Sequence, residues 1–72
     1  MLGVNGLKVV VNGKEENVAA GTTVAGLVAA RGLRPDTVII EYNYGIVKKA
    51  EWDGIVLKEN DRVEILRFVG GG

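Results

Sequence analysis

The 72-residue chain predicts an α+β domain in which one helix packs across a mixed sheet. Three observations carry that expectation. Leu7, Val9 and Val11 alternate with other residues up to Asn12-Gly13, the signature of a hairpin. One segment alone has helical spacing, with Val24, Leu27, Val28 and Arg31 on a single stripe. Two β-branched runs follow it, the second reaching almost to the last residue.

Met1 to Gly6 holds two glycines and little pattern and reads as a loose N-terminal extension, residues 1–6, before a domain over 7–69. The first strand starts at Leu7, turns at Asn12-Gly13 in a type I′ geometry, and returns as Lys14-Glu15-Glu16-Asn17-Val18. Thr23 is placed to cap the helix from Val24 to Arg31, with Gly32 at its C′ position. Gly26 inside that helix is unfavourable by ~1 kcal/mol relative to alanine, which suggests close packing of the helix on the sheet. Pro35 ends the segment, and Val38-Ile39-Ile40-Glu41-Tyr42 has the two-sided apolar start of an interior strand. Asn43-Tyr44-Gly45 reads as a turn, Ile46-Val47 as a very short strand, and Lys49 to Trp52 as one helical turn before Asp53-Gly54. Lys58-Glu59-Asn60-Asp61 turns into the final strand, Arg62 to Val69. Trp52, Tyr42 and Tyr44 read as packing residues, and Asp61-Arg62 with Glu59 as a charged turn.

Composition excludes several classes of function. Hydrophobic residues make up 47% of the chain, too many for a disordered one, and nine basic against nine acidic residues give no electrostatic cause to expect nucleic acid or an anionic membrane. With no Cys and no His the chain has no thiolate nucleophile, imidazole base or usual zinc ligand, so no catalytic residue and no bound metal or cofactor is expected. Nothing reads as a signal peptide or membrane span, and the cytoplasm is the expected compartment.

The most informative feature is Gly70-Gly71-Gly72, directly after the last strand. Glycine has no side chain to pack and loses the most backbone freedom on ordering, so a run of three does not stabilise a fold. A flexible tail of this length over residues 70–72 extends at most ~10 Å. It is slim enough to thread a channel that excludes any Cβ and deliver a terminal carboxylate to another protein. A frayed end or a cloning remnant would look the same.

The element order suggests the β-grasp (ubiquitin-like) architecture. Within it, Gly21-Thr22-Thr23-Val24, Asn43-x-x-Ile46-Val47 with Lys49 and Trp52, Leu57-Lys58-x-x-Asp61-Arg62-Val63-Glu64-Ile65 and Phe68-Val69-Gly70-Gly71-Gly72 together resemble the sulfur carrier proteins of thiamine biosynthesis, from about Leu7 to Gly72. The chain departs from that pattern at Asn60, where glycine is frequent, and at Lys48, where proline is frequent; asparagine tolerates a left-handed turn.

The resemblance implies a carrier and co-substrate, not an enzyme. A ubiquitin-activating-type adenylyltransferase would use ATP to convert the Gly72 carboxylate to an acyl adenylate. Sulfur from a cysteine persulfide donor would replace AMP, leaving a thiocarboxylate. Thiazole synthase would draw that sulfur into a ring built from a deoxyxylulose phosphate and an imine of glycine or tyrosine. Gly70 and Gly71 would be the tether.

Period two locates a docking surface without reference to any family. If Val63 and Ile65 face the core, Arg62, Glu64, Leu66 and Phe68 lie opposite, and the apolar pair Leu66 and Phe68 beside the tail is a candidate anchor, with Arg67 and Val69 next to it. Arg67 falls on the core side near the strand end, where it either reaches solvent or pairs with a partner carboxylate. Other readings stay open: a sulfur carrier of molybdopterin or cysteine synthesis, a ubiquitin-like protein modifier, or an interaction module whose glycines are inert.

Overall fold

The computed structural model describes residues 6–68, which form a five-stranded mixed sheet with one α-helix across it. In chain order the elements are β1 (Gly6–Val11), β2 (Lys14–Ala19), α1 (Val24–Ala30), a 3-10 turn (Pro35–Thr37), β3 (Val38–Tyr42), β4 (Gly45–Val47), a 3-10 helix (Lys49–Gly54) and β5 (Arg62–Arg67). The sheet order is β2-β1-β5-β3-β4, with β1 and β5 parallel and the other pairs antiparallel. This is the β-grasp arrangement.

The hairpin turns as its residues dictate. Asn12 and Gly13 have φ of 50° and 82°, both positive as type I′ requires, and Val11 pairs with Lys14. Gly6 pairs with Ala19, so the first strand includes a residue that pattern alone assigned to the extension. Lacking a side chain, Gly6 contributes nothing to the period-two signal. Residues 1–5 lie outside the described residues.

The helix has seven residues, about two turns, with a cap at each end. Thr23 Oγ1 accepts from the Gly26 N–H at 3.0 Å, and the chain leaves through Arg31 into Gly32 at φ 71°. Val24, Leu27 and Val28 are buried against Val9, Val11, Val38, Ile40, Trp52, Leu57, Val63 and Ile65. Gly26 corrects an expectation: it lies on the exposed face, not against the sheet, and an added Cβ would meet Thr23 Oγ1 at 3.4 Å, ordinary van der Waals contact.

Trp52 closes the far end of the core at 3% exposure, its indole N–H donating to the Val47 carbonyl at 3.2 Å. Tyr44 does not pack as expected. It is 78% exposed, with φ 74°, because the β3–β4 connection is a two-residue turn centred on Asn43 and Tyr44 and not on Gly45. Among the described residues no helix is long and apolar enough to cross a membrane.

Asp61 is the one buried charged side chain among the described residues. Its Oδ2 accepts from the Tyr42 hydroxyl and the Lys58 N–H, both at 2.7 Å, and its Oδ1 from the Asn43 amide at 3.1 Å. Lys58 Nζ donates in turn to the Tyr42 hydroxyl at 3.1 Å. Burial pushes the carboxyl up, but the Tyr42, Lys58 and Asn43 bonds and the Lys58 charge outweigh it and hold Asp61 below the usual carboxylate range. The last turn, with Asn60 at φ 70°, is thereby locked to the β3–β4 turn.

Two outcomes follow for stability. Because the folded carboxyl is the stronger acid, the unfolded chain binds protons more readily, so the Asp61 contribution is present at neutral pH and lost on acidification from about pH 5 downward. Asp61→Asn should destabilise the domain by about 1–3 kcal/mol at neutral pH and flatten that acid limb, read by denaturant unfolding across pH. Gly26→Ala should stabilise by roughly 1 kcal/mol, read as a higher melting temperature.

Candidate functional site: the root of the C-terminal tail

The described chain ends at Phe68, one residue past the central strand of the sheet. β5 is bonded on one side to β1, through Val10 N–H to Asp61 O (2.8 Å) and Asn12 N–H to Val63 O (2.9 Å), and on the other to β3 over Val38–Tyr42. Past Val11 the β1 main chain turns away into the hairpin. There the Asn12 side chain takes over, its Oδ1 accepting from the Ile65 N–H at 2.7 Å. On the β3 side the ladder runs one step past the strand, the Phe68 N–H donating to Thr37 O at 2.9 Å. The main chain is therefore held on the sheet through Phe68. Val69, Gly70, Gly71 and Gly72 lie outside the described residues.

Side chains along β5 sort by parity. Val63 and Ile65 are buried at 0% and 7%, while Leu66 and Phe68 are 48% and 59% exposed. Leu66 pairs across the ladder with Ile39, which is half-buried on the same outer face. Arg67 pairs with buried Val38 yet is itself exposed, so its long stem carries the guanidinium past the end of the core to solvent. β5 ends at Arg67, short of the expected Val69.

Beside Arg62 and Glu64, which parity on β5 placed on this face, residues of β3, β4 and their turn join it. Ile46, 69% exposed on the edge strand, pairs with Glu41, and Glu41 pairs with Glu64. Half-buried Arg62 lies with its guanidinium 5.4 Å from the centre of the exposed Tyr44 ring, a cation–π contact between the two side chains. The only signal of the β3 and β4 residues in the sequence was alternation in two strands whose mutual register was unknown. The described residues hold no pocket and no group of His, Cys, Asp or Glu able to grip a metal. The candidate site is an exposed surface beside the end of β5.

Comparison with known proteins agrees with this geometry. The model of the ThiS family matches residues 4–72, a span that includes all three terminal glycines. The sulfur carrier protein ThiS of Bacillus subtilis is 37% identical over 62 residues, 85% of this chain and 94% of that protein. A thiazole synthase of Magnetococcus marinus is 38% identical over 66 residues, 92% of this chain but 20% of the synthase, so the chain spans about a fifth of that relative's length. The crystal structure of the thiamine biosynthesis protein ThiS from Geobacter metallireducens superposes with a TM-score of 0.78 at 32% identity, covering 92% of this chain and all of that one. A mixed sheet with a single helix, a tail rooted on its central strand and a family match running from Val4 through Gly72 have one reading in common: the chain belongs to the ThiS family.

Proposed function

We propose that this protein is a sulfur carrier of thiamine biosynthesis whose Gly72 carboxylate is the carrying group. The observation that supports it most is the family match extending through Gly72, together with the carrier function in the name of the Bacillus subtilis relative. A carboxylate is ionised at neutral pH and resists nucleophilic attack, so an adenylyltransferase must first activate it. A Gly72 oxygen attacks the α-phosphorus of ATP and pyrophosphate leaves. The terminal sulfur of a partner's cysteine persulfide then attacks the acyl carbon and AMP leaves. A second thiol cleaves the resulting acyl disulfide, taking the persulfide's inner sulfur into a disulfide and leaving the thiocarboxylate on Gly72.

Thiazole synthase is the proposed acceptor, in keeping with the synthases that contain a segment like this chain. The chain itself contributes three things: the carboxylate, a Gly70-Gly71 tether without Cβ atoms, and an apolar anchor in Leu66 and Phe68 with Arg67 and Val69 beside it. With neither Cys nor His, it leaves activation to its partners.

Intact mass after reaction with ATP, a cognate adenylyltransferase and a persulfide donor tests the chemistry. One oxygen should be replaced by sulfur, and the exchange should disappear without ATP or either protein. Removing Gly72 moves the carboxylate ~3.5 Å short of its target and should abolish loading although Gly71 is chemically identical. Efficient loading of the shortened chain would refute the length-gated tether. Leu66→Ala and Phe68→Ala should each weaken association with the adenylyltransferase or the synthase by about 2 kcal/mol, while stability changes by less than about 1 kcal/mol, read by calorimetry and thermal unfolding.

A further inference from the structure

The outer face of the sheet carries a charge arrangement that the isolated domain does not use. Glu41 on β3 and Glu64 on β5 are directly opposite in the antiparallel register, which places their Cβ atoms ~5 Å apart on one face. Like charges in such positions repel and destabilise a sheet. Among the described residues neither carboxylate has an ion pair or a side-chain hydrogen bond. The cations of that face are engaged elsewhere: Lys8 with Glu15 at 3.7 Å, and Arg62 over the Tyr44 ring. Apolar side chains bracket the pair, with Ile46 beyond Glu41 and the Ile39–Leu66 rung next along the strands.

We propose that this face docks thiazole synthase, and that a basic side chain of the synthase seats between Glu41 and Glu64 while apolar residues around it cover Ile39, Ile46 and Leu66. The inference rests on the carrier reading for the identity of the partner. Two observations point to a basic partner that receives the tail, and the synthases that contain a segment like this chain identify it. The pair is acidic, so its complement is cationic. Glu64 on β5 lies four residues before Phe68, which follows the strand's end, ~13 Å away along the chain and inside the footprint of ~800 Å² that a partner receiving the tail would cover. In the synthases that share this segment, carrier-like and synthase portions lie in one polypeptide, which keeps the two surfaces within reach. The repulsion in the free domain is then relieved on binding, so the same two residues set affinity and register.

The test is the double variant Glu41→Gln with Glu64→Gln, which keeps shape and removes charge. Its dissociation constant for the synthase should rise about tenfold or more, and the salt dependence seen with the unaltered chain should largely vanish. Its melting temperature should equal or exceed that of the unaltered chain, which no loss of folding could mimic. The single variant Glu41→Lys, pairing internally with Glu64, should likewise melt no lower and bind worst. Affinity within twofold of the unaltered chain, or no binding of the unaltered chain to the synthase, overturns the proposal. Sulfur loading of Gly72, read by mass, reports on the carrier reading separately: a chain that loads normally while its affinity ignores both changes sinks the docking proposal alone.

Discussion

The fold depends on the central strand, β5, being bonded on both sides. A parallel strand beside β1 cannot be reached by a tight turn, so the chain must cross over, and α1 lies on that crossover. The apolar stripe of the helix and the inner faces of β1, β3 and β5 therefore share one core, from Val9 to Ile65. Seventy-two residues leave little surplus for such a core, and the polar groups that close it matter accordingly. Asp61 ties the turn entering β5 to the β3–β4 turn, and Asn12 replaces the rung lost where β1 bends away. Both act on the strand from which the tail departs.

How much could be read beforehand follows from the range of each interaction. The hairpin at Asn12-Gly13 and the Thr23 cap rest on residues one to three apart, and they were legible. The bond from Ile65 to Asn12 spans 53 residues and the Asp61 bonds to Tyr42 and Asn43 span 19 and 18, so no local pattern announces them. Tyr44 was misjudged because aromatic character favours burial, whereas the two-residue turn holds it out in solvent. Gly26 was misjudged because glycine in a helix suggests close approach to the sheet, and here it lies on the exposed face, where an added Cβ would meet only the Thr22 and Thr23 side chains at van der Waals distance. The family was legible in the order of short motifs ending in the terminal glycines, while the acidic pair on the outer face required the β3–β5 register.

Position in the sheet also separates the two kinds of exposed apolar residue. Val56, 51% exposed, follows the 3-10 helix in the segment bridged to Thr23, on the helix side of the molecule. Leu66, Ile39 and Ile46 lie together on the outer face, and Phe68 follows at the strand's end. Scattered surface apolar residues are ordinary, whereas this group converges on the end of β5 at Phe68.

The two-sided bonding of β5 has a mechanical consequence. A load applied at the C terminus runs along the strand axis, and the ladders to β1 and β3 resist it in shear, several hydrogen bonds at once. An edge strand loaded across its ladder would peel open one bond at a time. A pull applied beyond Phe68 thus works against both ladders of β5 at once, and the described domain resists unravelling from that end.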